Sequence, residues 1–147
     1  MSNEPLSIVV CLPDGVGLYD PNPEETALKD VDLVEHWDGS TGGVIGWSSG
    51  AWRALELAVK HSDLPRLVIA SLPFPDDEPS IDLDAVQAKT LLLFGSADPE
   101  TGSKHGTAWQ KRLPNARLEM VPGAGHDLLE QMWRRVLSHL APRRKAR

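Results

Sequence analysis

Three polar residues stand where short apolar runs come to an end. Ser48 follows "GGVIGW", Asp98 follows "TLLLFGSA", and His126 follows "RLEMVPGAG". A serine hydroxyl is a poor nucleophile near neutral pH and needs a base within hydrogen-bond reach. Histidine suits that role because it can take and return a proton in this range. A carboxylate behind the imidazole fixes its tautomer and steadies the cation formed as the proton moves. Ser48 also stands between Gly46 and Gly50 in "GWSSGA". A tight strand-to-helix corner needs such spacing, because a larger side chain at either flank would clash.

This chemistry requires elements that carry the three residues to one place. Short β-branched runs alternate with helical patterns, which predicts a parallel sheet with crossover helices. The expected strands are Ser7–Leu12, Gly43–Trp47, Arg66–Ala70, Thr90–Phe94 and Arg117–Val121. Their apolar runs are continuous rather than alternating, as in strands covered on both faces. Helices are expected over Glu24–Trp37, Ala51–His61, Ser103–Leu113 and Leu128–Leu140, the last with a stripe of Leu128, Leu129, Met132, Trp133, Val136, Leu137 and Leu140. The proline- and acid-rich stretch Ser71–Lys89 reads as a loop with one helical turn around Leu83–Val86. In such a sheet ligands bind beyond the carboxyl ends of the strands, and Ser48, Asp98 and His126 all fall there.

Bulk composition narrows the field. The 147 residues suit one domain, here 1–142, followed by a solvated basic tail over 143–147, "RRKAR". A formal charge of -6 argues against nucleic acid as a partner. Cys11 is the only cysteine, so no intrachain disulfide can form, and its apolar neighbours predict a buried thiol. No signal peptide and no membrane-length apolar run is evident, which makes a cytoplasmic location the expectation. No His/Asp/Glu pair has ligand-like spacing, so no metal is expected.

The stretches "GWSSG", "LLLFGSADPETG" and "LPNARLEMVPGAGH", in that order, resemble the nucleophile elbow, acid loop and histidine loop of α/β-hydrolase-fold serine hydrolases. The resemblance implies Ser48 as nucleophile, His126 as base and Asp98 as its orienting acid. Some members take the acid from the loop after the preceding strand, where this chain offers Asp76 and Asp77. It further implies an oxyanion hole from the Ser49 N–H and from the loop after the first strand. There the chain has Asp14-Gly15 in place of the usual His-Gly, which points to the Val16 N–H, although Asp-Gly is equally a good turn pair. No cofactor is implied.

The expected fold is therefore α/β, a reduced α/β-hydrolase with a mostly parallel sheet of about five strands and no cap. Trp47, Leu72 and Phe74 are the expected substrate-lining residues. The expected activity is hydrolysis of a small acyl ester or thioester through an acyl-enzyme. The alternatives are an inert binding or assembly module, and a cyclase or lyase using the same His-Asp pair. Five strands make a sheet roughly 24 Å wide, and one helix covers about 10 Å of it. With the early helix deleted, the last helix alone would leave an apolar strip on one face, so a homodimer is expected.

Overall fold

The computed structural model describes residues 5–102 and 104–142, so the basic tail 143–147 lies outside the described residues. Strands β1 (Leu6–Cys11), β2 (Val31–Val34), β3 (Thr41–Trp47), β4 (Arg66–Ala70), β5 (Lys89–Gly95) and β6 (Ala116–Val121) form one sheet. Its order is β2-β1-β3-β4-β5-β6, and every neighbouring pair is parallel. Helices α1 (Pro23–Leu28), α2 (Ala51–Lys60), α3 (Lys104–Arg112) and α4 (Trp133–Leu140) cover it. A helical turn over Leu83–Ala85 interrupts the loop between β4 and β5.

The sheet has six strands rather than five, and the helix expected over Glu24–Trp37 is divided. Asn22 caps α1 by accepting from the Glu25 N–H, and Pro23 opens the helix. Asp30 then turns the chain through a left-handed conformation, φ 56°. Beyond it Val31–Val34 pairs with β1 as an edge strand, from Leu6↔Val31 to Val9↔Val34. Val31 and Val34 fit helical spacing, but β-branched residues after a left-handed break favour the extended chain. α4 is likewise shorter than expected, beginning at Trp133, while Leu128 and Leu129 still reach the core from the preceding turn.

Alternate residues of each central strand enter two separate cores. Val9, Val44, Leu67, Ile69, Leu92 and Phe94 pack beneath α2 and α3. Ile8, Val10, Ile45, Val68, Leu91 and Leu93 pack beneath α4. α1 lies beside α4, held by Trp133 Nε1–H donating to Thr26 Oγ1 at 2.8 Å and by the Arg134–Glu25 ion pair at 2.6 Å. The early helix is thus present, and the strand side chains Ile8, Val10, Ile45, Val68, Ala70, Leu91 and Leu93 of that face are buried. The uncovered strip does not exist, so the geometric reason for a homodimer falls away. Strand order reverses between β1 and β3, and the crevice at their carboxyl ends is where α/β sheets hold ligands. Among the described residues no helix is long and apolar enough to cross a membrane.

Candidate active site

Ser48 leaves β3 at φ 55°, in the left-handed region that a non-glycine residue occupies only under constraint. The constraint comes from its flanking glycines. A Cβ on Gly46 would stand 2.5 Å from Ala51 Cα, and one on Gly50 would stand 2.4 Å from the Leu12 carbonyl carbon. Hydrogen at both positions lets α2 start directly against β1 and β3. The sharp corner lifts Ser48 above the sheet and makes Ser49 part of a helical turn, Ser48–Gly50. The first amides of such a turn have no acceptor within it.

The loops after β5 and β6 are tied together before they bring their side chains to Ser48. The Ala97 N–H donates to the Ala124 carbonyl at 2.9 Å, and the Gly123 N–H to Ser96 Oγ at 2.8 Å. Ser48 Oγ lies 2.7 Å from His126 Nε2, and His126 Nδ1 lies 2.8 Å from Asp98 Oδ2. A carboxylate can only accept, so Nδ1 carries the proton and Nε2 of the neutral ring accepts from the serine hydroxyl. Asp76 and Asp77 stay exposed on the β4–β5 loop, so Asp98 is the acid brought to the imidazole.

Asp98 is well supported. Its side chain is wholly buried, and burial alone would raise its pKa. Thr101 Oγ1–H, at 2.7 Å, and the Glu100 N–H, at 2.8 Å, donate to it. Together with His126 these bonds outweigh burial and hold its carboxyl below the ordinary aspartate range. His126 is anchored through its backbone: its carbonyl accepts from Trp47 Nε1–H at 3.0 Å and from Ser71 Oγ–H at 2.8 Å. Ser71 is fully buried and also left-handed, with φ 55°. On the solvent side, Glu100 Oε2 stands 3.4 Å from His126 Nε2. Nothing about Glu100 or Ser71 in the sequence alone marks either as a neighbour of the histidine.

Two expectations about the surroundings are corrected. The Val16 N–H donates to the Pro13 carbonyl at 3.0 Å, closing a turn over Pro13–Val16 with Gly15 at φ 86°, so it is not presented to a ligand. Asp14-Gly15 is thus a turn pair. Leu72 is core, with its carbonyl accepting from Trp109 Nε1–H, and Phe74 packs edge-on to Trp109 at 4.8 Å. Neither lines the cleft whose wall holds Trp47 and Asp127, the chain neighbours of Ser48 and His126. That cleft, about 250 Å³, is walled by Leu12, Val16, Tyr19, Trp47, Asp127 and Leu129. Trp47 is the one expected lining residue found there.

Cys11 is buried, and burial pushes its thiol up to about 11, which leaves it inert. Among the described residues no group of three or more His, Cys, Asp or Glu side chains could hold a metal ion.

Comparison with known proteins agrees with this architecture. A family model described as TAP-like protein matches residues 65–134. No curated protein matches the sequence. An α/β hydrolase enzyme from a Medee basin deep-sea metagenome library superposes with a TM-score of 0.72 at 13% identity, over 95% of this chain and 89% of that one. A thermophilic esterase from Thermogutta terrifontis gives 0.68 at 13% identity, over 92% and 88%. A predicted CIB-like hydrolase from Thermoplasma acidophilum gives 0.57 at 21% identity over 67% of this chain, which spans only 50% of that protein. The chain has the α/β-hydrolase fold, in reduced form.

Proposed function

We propose that this chain is a serine hydrolase that cleaves a small acyl ester or thioester through an acyl-enzyme at Ser48. The observation that carries the reading is the continuous hydrogen-bonded path from Ser48 Oγ through His126 to a buried, ionised Asp98. Ser48 Oγ attacks the carbonyl carbon while His126 Nε2 takes its proton, and the imidazolium is steadied by Asp98 and faced by Glu100. The Ser49 N–H stabilises the tetrahedral oxyanion. Collapse expels the alcohol or thiol with the proton from His126, and water repeats the sequence to release the acid.

The cleft at Trp47 and Asp127 sets the acyl group. Its walls are mostly apolar, and about 250 Å³ has room for about eight water-sized groups at ~30 Å³ each. A butanoyl or hexanoyl chain fits that space and a hexadecanoyl chain does not. Two measurements test the reading. A fluorophosphonate probe is expected to label Ser48, and a nitrophenyl ester panel is expected to favour butanoate over hexadecanoate by kcat/KM at least about tenfold. An unlabelled Ser48 in folded protein would favour the inert module, to which the engagement of the Val16 N–H lends weight. Labelling without turnover of any ester would favour the cyclase or lyase. A cytoplasmic setting is part of the proposal, and the free, buried thiol of Cys11 is compatible with it.

Ser71 offers a separate check on how His126 is held. Glycine at this position removes the hydroxyl but also relieves the left-handed backbone, whereas alanine removes the hydroxyl and keeps the strain. Ser71→Gly is therefore expected to melt close to the parent yet lose about tenfold in kcat with little change in KM, the cost of a displaced base. Ser71→Ala should lose similar activity and melt lower. Full activity in the glycine variant would show that Trp47 alone suffices to anchor the histidine loop.

A further inference from the structure

The opposite end of the sheet carries charge that the hydrolytic site does not use. The chain is net -6, yet a cleft of about 370 Å³ at the amino ends of β4, β5 and β6 is lined by Arg66, Lys89, Arg117 and Arg135 with no carboxylate in its wall. Arg135 is oriented by Glu119, with Nε and Nη2 at 2.9 and 2.6 Å from Oε1. Arg66, Lys89 and Arg117 form no ion pair among the described residues. Three cations without an ion pair thus share one concavity, where a bound anion would offset their like charge.

The framework is built to hold such a ligand. Arg66 and Lys89 open β4 and β5, Arg117 is the second residue of β6, and Arg135 stands on α4, so each cation starts from regular structure. His139 lies in the cleft wall, its ring nitrogen Nε2 bonding the Lys89 carbonyl at 2.9 Å and the Leu67 carbonyl at 3.1 Å. Burial, with Arg66 and Arg135 adding to it, holds the imidazole below the ordinary histidine range. The ring is therefore neutral near pH 7 and donates from Nε2. Asn115 and Ser138 add uncharged polar groups to the wall. Guanidinium groups match the oxygens of a phosphate in pairs, and lysine supplies a point charge. Along β5 the two ends of the sheet are about 20 Å apart, so occupancy here leaves Ser48 clear.

We propose that this cleft binds a small phosphorylated ligand, its phosphate oxygens held by Arg66, Lys89 and Arg117. The volume exceeds that of one phosphate group, leaving room for the body of a small molecule. The same phosphate chemistry could be presented by a lipid headgroup, but a concave cleft without an apolar rim favours a soluble source.

Calorimetric titration of the full chain with inorganic pyrophosphate at low salt tests this. Sub-millimolar binding is expected, weakened at least about tenfold in the double variant Arg66→Gln, Arg117→Gln by loss of two charge-assisted contacts. Lys89→Gln should weaken it less. Thermal melting without ligand controls for folding, and ester turnover should be unchanged in all three proteins. Absence of binding at millimolar pyrophosphate would overturn the proposal, as would undiminished binding in the double variant. Binding to phosphatidic acid vesicles with none to pyrophosphate would overturn it in favour of a lipid surface.

Discussion

Replacing Ser48 with alanine is expected to lower kcat on a short nitrophenyl ester by about 10⁴-fold, with KM nearly unchanged. His126→Ala should lose about as much, and the double variant little more. The reason is cooperative: Ser48 Oγ is nucleophilic only while Nε2, at 2.7 Å, can take its proton. Each single variant thus removes the same step. Asp98→Asn should fall in the same range, because an amide can turn its NH₂ toward Nδ1 and stabilise the wrong tautomer. The Ser48 hydroxyl bonds the half-buried His126, and alanine in the same left-handed backbone meets a similar strain. Melting of Ser48→Ala should therefore match the parent within a few degrees. Half of the parental rate in purified Ser48→Ala would remove the nucleophile from the mechanism, whatever the geometry.

The sequence carried the central strands and the three polar positions because both are local signals. "LVIA" and "TLLLF" are continuous apolar runs that only a two-sided sheet can bury. Ser48, Asp98 and His126 each come just after such a run, and parallel strands deliver their carboxyl ends to one rim. What escaped was decided by tertiary contacts or by single backbone angles. Val31 and Val34 satisfy a helical period as well as a strand, and the left-handed Asp30 settles the choice. The reversal of strand order at β2 puts α1 on the α4 face, and a helix read through Val31 and Val34 lacks that reversal and leaves the face bare. The cleft wall joins Tyr19 to Leu129, residues with no periodic relation, so Leu72 and Phe74 looked equally eligible. The Val16 amide closes the turn over Pro13–Val16 that Asp14-Gly15 favours, and the glycine spacing alone fits that turn as well as an oxyanion donor.

A large stability effect is expected at Gly50. Its φ is -66°, an angle open to any residue, so the backbone itself does not demand glycine. Space does. A Cβ there would meet the Leu12 carbonyl carbon at 2.4 Å and the Cys11 carbonyl oxygen and Leu12 Cα at 2.6 Å. These are main-chain atoms at the end of β1, which is fixed in the middle of the sheet by β2 on one side and β3 on the other. No flexible side chain can give way. Gly50→Ala must either push α2 off the sheet or displace the loop after β1. Overpacking typically costs 1–3 kcal/mol, and a clash with immobile backbone belongs at about the top of that range. For a chain of this size that is a fall of about 6–12 °C in Tm. The same movement shifts the Ser48–Gly50 turn, so activity should drop even at temperatures where the variant stays folded. Gly17→Ala is the matched comparison, because a Cβ there meets nothing within 4 Å and no left-handed angle is involved. It should leave Tm unchanged or raise it slightly by restricting the unfolded chain. Thermal melts of the two variants side by side decide the matter: equal Tm values would mean that the close approach of α2 to β1 at Gly50 does not hold the elbow in place.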